Sequence, residues 1–304
     1  MKCITLALDW TPNLNHIGIL VAKELGYYTE LGIDLEIVSP LTDNYQLTPG
    51  KKLELQLATF VLAPFETVIS LNNKANKVEA RAIYALLQED LSSIASLSSS
   101  KMTSPRHLDG KIYASYQARY EDKIVQELVK NDGGTGDFEI SYPAKLGIWN
   151  TILSKQADAT WIFNNWEGIE AKNKNIALEC WSMKDFDIPY GYSPVIITTQ
   201  NTIDNQAELC EAFVKATQRG YSFASQNKEK AAEVLSQYVT AEDIAAIDLM
   251  QALEATIPYF GEENKMGFMK PERVDSFLQW LVTHNLEQEH ILSQSLYSNA
   301  FVAN

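Results

Sequence analysis

Residues 8–16, Leu8-Asp9-Trp10-Thr11-Pro12-Asn13-Leu14-Asn15-His16, stand between two patterns of different period. Ile4, Leu6 and Leu8 alternate, which predicts a strand, whereas Ile17, Leu20, Val21 and Leu25 recur at helical spacing up to a terminating Gly26. A strand therefore hands over to a helix through a loop that holds Pro12, Asn13, Asn15 and the rings of Trp10 and His16. In open α/β sheets ligands bind at this handover, where the carboxyl end of a strand meets the amino end of a helix. The stretch is predicted to form one wall of a site.

The rest of the chain repeats the theme. Residues 35–38, after the turn at Gly32, predict a second strand. The apolar run 53–62, with Glu54 and Gln56 alternating at its start, predicts a third, passing through Ala63-Pro64-Phe65-Glu66 into a helix over 67–71. Residues 81–97 predict two short strands broken by a crossing around Gln88-Glu89-Asp90. A Ser, Thr and Pro loop at 98–105 opens a second α/β unit, with strands at 111–116, 138–141 and 159–163 and helices at 121–129, 148–153 and 166–174. Residues 192–199 return in extended form. The remainder is predicted to be mostly helical, with faces such as Phe213, Ala216, Gly220 and Phe223, or Val274, Phe277, Leu278 and Leu281. These segments predict an α/β protein of two lobes, one from residues 1–90 with 197–304 and an inserted one from 91–196, with the chain crossing between them twice.

Composition narrows the partners. The formal net charge of −14 argues against a nucleic-acid partner or an anionic membrane, since both require a basic surface. Cys3, Cys180 and Cys210 have no close spacing, so neither a metal cluster nor a redox pair is expected. No stretch reaches the roughly 18 uninterrupted apolar residues of a membrane span, and the first residues lack the apolar core of an export signal. The expected location is cytoplasmic if the sequence is native as written, and periplasmic or cell-surface if a signal has been removed. No Ser-His-Asp order and no phosphate loop is present.

Three motifs in order carry a resemblance. The Leu-Asp-Trp-Thr-Pro-Asn-x-Asn-His stretch with a helix ending Gly-Tyr-Tyr, Trp-Glu-Gly at 166–168 and Ile-Pro-Tyr-Gly-Tyr-Ser-Pro at 188–194 make the chain resemble the substrate-binding proteins related to thiamine-pyrimidine synthases. The resemblance covers nearly the whole chain. It implies a type II periplasmic-binding-protein fold that holds an aminopyrimidine precursor of thiamine between two lobes for an ABC transporter permease, without a cofactor. Some members are instead the enzymes that make the pyrimidine, using a lysine and a histidine just after the strand that corresponds to 53–62, and a cysteine-rich stretch before the returning strand. Here residues 53–73 hold no lysine or histidine, and 185–191 hold no cysteine. A lysine to carry pyridoxal phosphate as an imine and thiols to bind iron are therefore missing there, and a synthase, or a cytosolic sensor or carrier, is the alternative.

The remaining side chains suit a flat polar ring. Trp10, Trp166, Tyr190 and Tyr192 offer faces for stacking, and Trp161 reads equally as a ligand contact or as packing between lobes. Glu167, at the start of a helix, is expected to accept paired hydrogen bonds from an aminopyrimidine edge, charge-assisted if the ring is protonated; its alternative role is as a dipole partner. Asn13, Asn164 and His16 are expected to supply mixed contacts, His16 reading equally as a helix cap. Glu66 is a second polar wall or a cap. Tyr116 and Arg119 lie where relatives bind anionic groups with backbone N–H groups, Arg119 either meeting a ligand anion or pairing with Glu121 or Asp122.

Overall fold

The computed structural model describes residues 1–302. Ten strands form two five-stranded sheets. Strands β1 (Lys2–Ala7), β2 (Ile33–Val38), β3 (Phe60–Ala63) and β4 (Ala80–Ala85) belong to the first sheet; β5 (Ser92–Leu97), β6 (Ile112–Ala114), β7 (Glu139–Ser141), β8 (Ala159–Phe163) and β9 (Leu178–Trp181) belong to the second. The last strand, β10 (Val195–Thr199), returns to the first, giving the orders β2-β1-β3-β10-β4 and β7-β6-β8-β5-β9. In each sheet the leading strands run parallel, and a strand next to a crossing runs antiparallel to its neighbours: β10 between β3 and β4, and β5 between β8 and β9. This is the two-lobe α/β architecture expected from the sequence.

Burial explains which segments became strands. All four residues of β3 are buried, as befits a central strand covered on both faces. The predicted strand over 53–62 is shorter than expected, because its first part is helix. Thr48 accepts the Lys51 N–H and Pro49 takes the first helical position, so the turn Pro49–Glu54 forms, and Gln56 at φ +58° ends it. The polar Glu54 and Gln56 belong to that helix end and turn, not to an alternating strand.

The chain leaves the first sheet after β4 and rejoins it at Val195, the start of β10. A further connection lies near the carboxyl end. The helix Pro271–Thr283 sets Phe277 against Tyr120 of the second lobe and Tyr190 of the crossing segment. The chain then regains the first sheet, where Tyr297 bridges Ala82. The first-lobe loop 8–16 rests on the helix pair Ile17–Glu24 and Ala207–Gln226, which cross at Gly18 and Gly220. From the second helix the Tyr221 hydroxyl donates to the Asn15 carbonyl, tying the loop to this support.

Candidate functional site

Between the lobes lies a cavity of about 470 Å³, within the range of small-molecule sites. The loop after β1 contributes Asp9, Trp10, Asn13 and Asn15. Pro64 and Glu66 enter from the end of β3, and Tyr116 and Arg119 from the end of β6. Trp161, Trp166 and Glu167 come from β8 and the helix after it, and Tyr190 and Ser193 from the crossing segment. The lining thus gathers the carboxyl ends of strands in both lobes, as the handover at residues 8–16 predicted for its own side.

Two aromatic groups shape the walls. Trp10 meets Tyr116 edge-on at 5.5 Å between centroids and lies 5.7 Å from Tyr45, so rings from both lobes converge there. Trp161 meets Tyr190 edge-on at 5.2 Å, with Phe277 behind at 5.6 Å from Tyr190. Edge-on packing holds each ring's plane while leaving a face free for an offset partner.

Burial holds three carboxyl groups of the cavity lining, Glu167, Glu66 and Glu121, above the ordinary carboxylate range. Burial pushes the Glu167 acid up to about 7, against hydrogen bonds from the backbone, among them the Phe163 N–H at 2.9 Å to Oε2. Glu66 is only 3% exposed, and its Oε2 is shut from solvent with no hydrogen-bond partner. Burial, helped by the Glu121 charge, pushes its acid up to about 8; Arg119 and the Tyr190 hydroxyl act against the rise. On another wall the Lys145 ammonium lies 4.9 Å over the Tyr45 ring, and burial lowers its pKa, with Glu121 opposing.

The loop expected to bind an anion is filled by the protein itself. Glu121 Oε1 accepts the Tyr116 N–H at 2.9 Å and the Tyr113 hydroxyl at 2.8 Å, Oε2 accepts the Ala118 N–H at 3.1 Å, and Ser115 Oγ takes the Gln117 N–H at 3.0 Å. Arg119 pairs with neither Glu121 nor Asp122. Its Nε donates to Glu287 at 3.0 Å and to the Tyr120 hydroxyl at 2.9 Å.

Eight of the eleven expected site residues line the cavity: Trp10, Asn13, Glu66, Tyr116, Arg119, Trp166, Glu167 and Tyr190. His16, Asn164 and Tyr192 do not. The His16 ring is fully buried; Nδ1 accepts the Asn13 N–H at 3.2 Å, so the proton sits on Nε2, which faces Asp9 Oδ1 at 2.8 Å. It is the cap of the loop, and it aims Asp9. Asn164 points outward to Ser93 Oγ at 2.8 Å, while its neighbour Asn165 is buried and donates to Asn15 Oδ1 at 2.9 Å and Thr256 Oγ1 at 3.1 Å across the lobes. Tyr192 is buried in the first lobe, where its hydroxyl accepts the Lys270 N–H at 2.9 Å and Arg273 covers its ring at 4.2 Å. Asp9, Asn15, Tyr45, Lys145 and Ser193 line the cavity without having been singled out. Tyr45 and Lys145 sit in loops with no periodicity, but Asp9 and Asn15 lie inside the motif itself.

A cavity walled by strand ends of two α/β lobes, with two crossings between sheets, defines the type II periplasmic-binding-protein fold. The alkanesulfonate-binding protein SsuA from Xanthomonas axonopodis pv. citri has that fold and matches with a TM-score of 0.69 at 10% identity, over 99% of this chain and 96% of that one. Residues 13–231 match the family described as NMT1/THI5 like, and the chain belongs to that family. Among relatives, a formylaminopyrimidine-binding protein of Halalkalibacterium halodurans is 24% identical over 310 residues, covering 98% of this chain and 90% of the relative. A 4-amino-5-hydroxymethyl-2-methylpyrimidine phosphate synthase of Legionella pneumophila is 26% identical over 304 residues, covering 98% and 92%.

Proposed function

We propose that this protein binds an aminopyrimidine precursor of thiamine between its lobes and delivers it to an ABC transporter. The observation that carries the reading is Glu167, a buried carboxyl on the wall of a cavity flanked by the Trp10–Tyr116 and Trp161–Tyr190 rings. A carboxyl poised near neutrality shares one proton with an aminopyrimidine ring nitrogen and accepts from the adjacent amino group, whichever partner holds the proton. The rings then sandwich or edge the base. The relative named as a formylaminopyrimidine-binding protein supports this ligand class. Delivery to a permease, and an exported location, rest on the fold shared with SsuA. No helix among the described residues is long and apolar enough to cross a membrane.

The synthase relative raises the enzyme reading, and with it pyridoxal phosphate. The loop after β6 does not fit that group's phosphate: Glu121 occupies the N–H groups of 116 and 118 and Glu287 holds Arg119, which leaves Lys145, over the Tyr45 ring, as the lining cation outside an ion pair. Binding without bond chemistry is the reading these contacts favour. Calorimetric titration with 4-amino-5-hydroxymethyl-2-methylpyrimidine, its formylamino analogue, thiamine, riboflavin, pyridoxal phosphate and taurine tests it. A pyrimidine is expected to saturate the wild type at micromolar concentration or below, about −8 kcal/mol or better. Binding weakens at least about tenfold in Glu167→Gln and Trp10→Ala. Pyridoxal phosphate binding with an imine absorbance band, and no pyrimidine binding, overturns it.

A further inference from the structure

Glu66 stands on a wall of the cavity whose chemistry the aminopyrimidine edge does not use. It begins the helix Glu66–Asn72 of the first lobe, whereas Glu167 projects from the second. A fully buried carboxyl with an oxygen that has no partner cannot hold a charge cheaply, since an unpaired buried ion is among the costliest groups in a protein interior. The groups facing it do not supply a counter-ion. Glu121 repels a charge there, the Tyr190 hydroxyl is neutral, and Arg119 is shared with Glu287 and Tyr120.

The first-lobe lysines that line the cavity are committed in the same way, whereas Lys145, over the Tyr45 ring, lies on the second-lobe side. Lys51 and Lys74 both pair with Glu54, at 2.9 and 2.7 Å. The N–H groups that an anion would use are held by Glu121 and Ser115. Nothing in the first-lobe wall near Glu66 is therefore left to neutralise a phosphate, and two carboxyl groups stand where one would have to go.

Resting on the aminopyrimidine reading, we propose that Glu66 serves as a neutral carboxylic acid that donates a hydrogen bond to an uncharged acceptor on the ligand's side chain, and so selects a formylamino compound against the phosphate ester of the hydroxymethyl pyrimidine. A carboxylate only accepts, but a carboxylic acid offers an O–H donor as well. An amide-type carbonyl is a stronger acceptor for that O–H than a hydroxyl, and a phosphate ester brings its charge against Glu121 beside a wall whose lysines are already paired. Glu66 is in this account a specificity residue; no bond is made or broken.

The consequence is a dependence on pH that belongs to this side chain. With the acid poised at about 8 in the free protein, ligand must recover the lost proton above that pH, so apparent affinity falls about tenfold by about pH 9. Glu66→Gln keeps a donor and an acceptor but cannot ionise. Titration calorimetry of wild type, Glu66→Gln and Glu66→Leu at about pH 6.5 and about pH 9 uses the formylamino compound, 4-amino-5-hydroxymethyl-2-methylpyrimidine and the latter's phosphate ester. Expected is a wild-type to Glu66→Gln ratio of dissociation constants that rises about tenfold between the two pH values, whatever Glu167 contributes to both proteins. Glu66→Leu is expected to weaken the formylamino compound at about pH 6.5 while retaining the wild-type circular dichroism, and the phosphate ester to bind wild type at least about a hundredfold more weakly than the formylamino compound. A ratio that stays flat, an unchanged affinity in Glu66→Leu, or equal binding of the phosphate ester overturns the role of Glu66 while the aminopyrimidine reading stands. Failure of every pyrimidine to bind overturns both.

Discussion

His16 and Asp9 show how much of this cavity is set by side chains whose direction sequence position leaves open. The motif named the right loop, but its histidine turns inward to hold the Asn13 N–H and to orient Asp9, and Asp9 is the residue that reaches the cavity. Polar residues next to each other on a loop point to different places: Asn164, expected to meet ligand, bonds Ser93, Asn165 bridges the lobes, and neither lines the cavity. Charge states are still less legible, because burial, not residue type, raises Glu66 and Glu167. Their effect on stability has a definite sign. An acid whose folded value lies above its unfolded one binds more protons folded than unfolded, so its contribution is fully present below the ordinary carboxylate range and is lost as pH rises through about 7 for Glu167 and about 8 for Glu66. Lys145, whose ammonium burial disfavours, works in the opposite sense, and comparison with a single variant cancels it. In urea denaturation without ligand, Glu66→Gln is expected to match wild type at about pH 5 and to exceed it by about 1–3 kcal/mol at about pH 9. A difference that does not change with pH would mean that Glu66 does not titrate in the folded state.

Elements were more legible than residues wherever period and caps agreed. The helix from Ile17, the turn at Gly26 with φ +75°, the two strands around Gln88-Glu89-Asp90 and the helical tail all follow from local pattern. The run 53–62 did not, because the Thr48 and Pro49 start signal lies before the apolar residues and changes what Glu54 and Gln56 mean. Nor does any local pattern reveal that Gly18 and Gly220 are partners. A Cβ on Gly220 would lie 1.8 Å from the Gly18 carbonyl oxygen, and one on Gly18 would lie 2.1 Å from the Tyr221 ring, so these helices cross backbone to backbone. Neither neighbour is the flexible end of a side chain. Gly220→Ala is therefore expected to part the helices and cost about 1–3 kcal/mol or more in urea denaturation. Because Tyr221 holds the Asn15 carbonyl, the loss should carry into ligand affinity as well. A Gly220→Ala protein as stable as wild type would show that the crossing can open without penalty.

At the scale of the whole molecule, the lobes are held together by polar contacts as well as by the two crossings. Asn165 reaches Asn15 and Thr256, and the segment after the last long helix joins both lobes through one side chain. Glu287 accepts from Arg119 and from the Tyr120 hydroxyl, at 2.6 Å, on Oε1, and from Asn73 Nδ2 at 2.8 Å on Oε2. The first two belong to the second lobe and Asn73 to the first, and the Glu287 side chain is only 6% exposed. A ligand stabilises a closed form only by its preference for that form, and its apparent affinity scales with the closed fraction already present. Glu287→Ala removes a contact that acts on closure without lining the cavity. It leaves Arg119 and Tyr120 without their acceptor, so the expected result is a larger radius of gyration for the free protein in X-ray scattering and a pyrimidine affinity about five- to twentyfold weaker. Saturating ligand should restore the compact form. Glu167→Gln, by contrast, should weaken binding and leave the scattering of the free protein unchanged, because its carboxyl lies on the cavity wall and takes the Phe163 N–H of its own lobe. If Glu287→Ala leaves the scattering of the free protein as it was, Glu287 does not govern closure, and any loss of affinity comes from Arg119 displaced into the cavity.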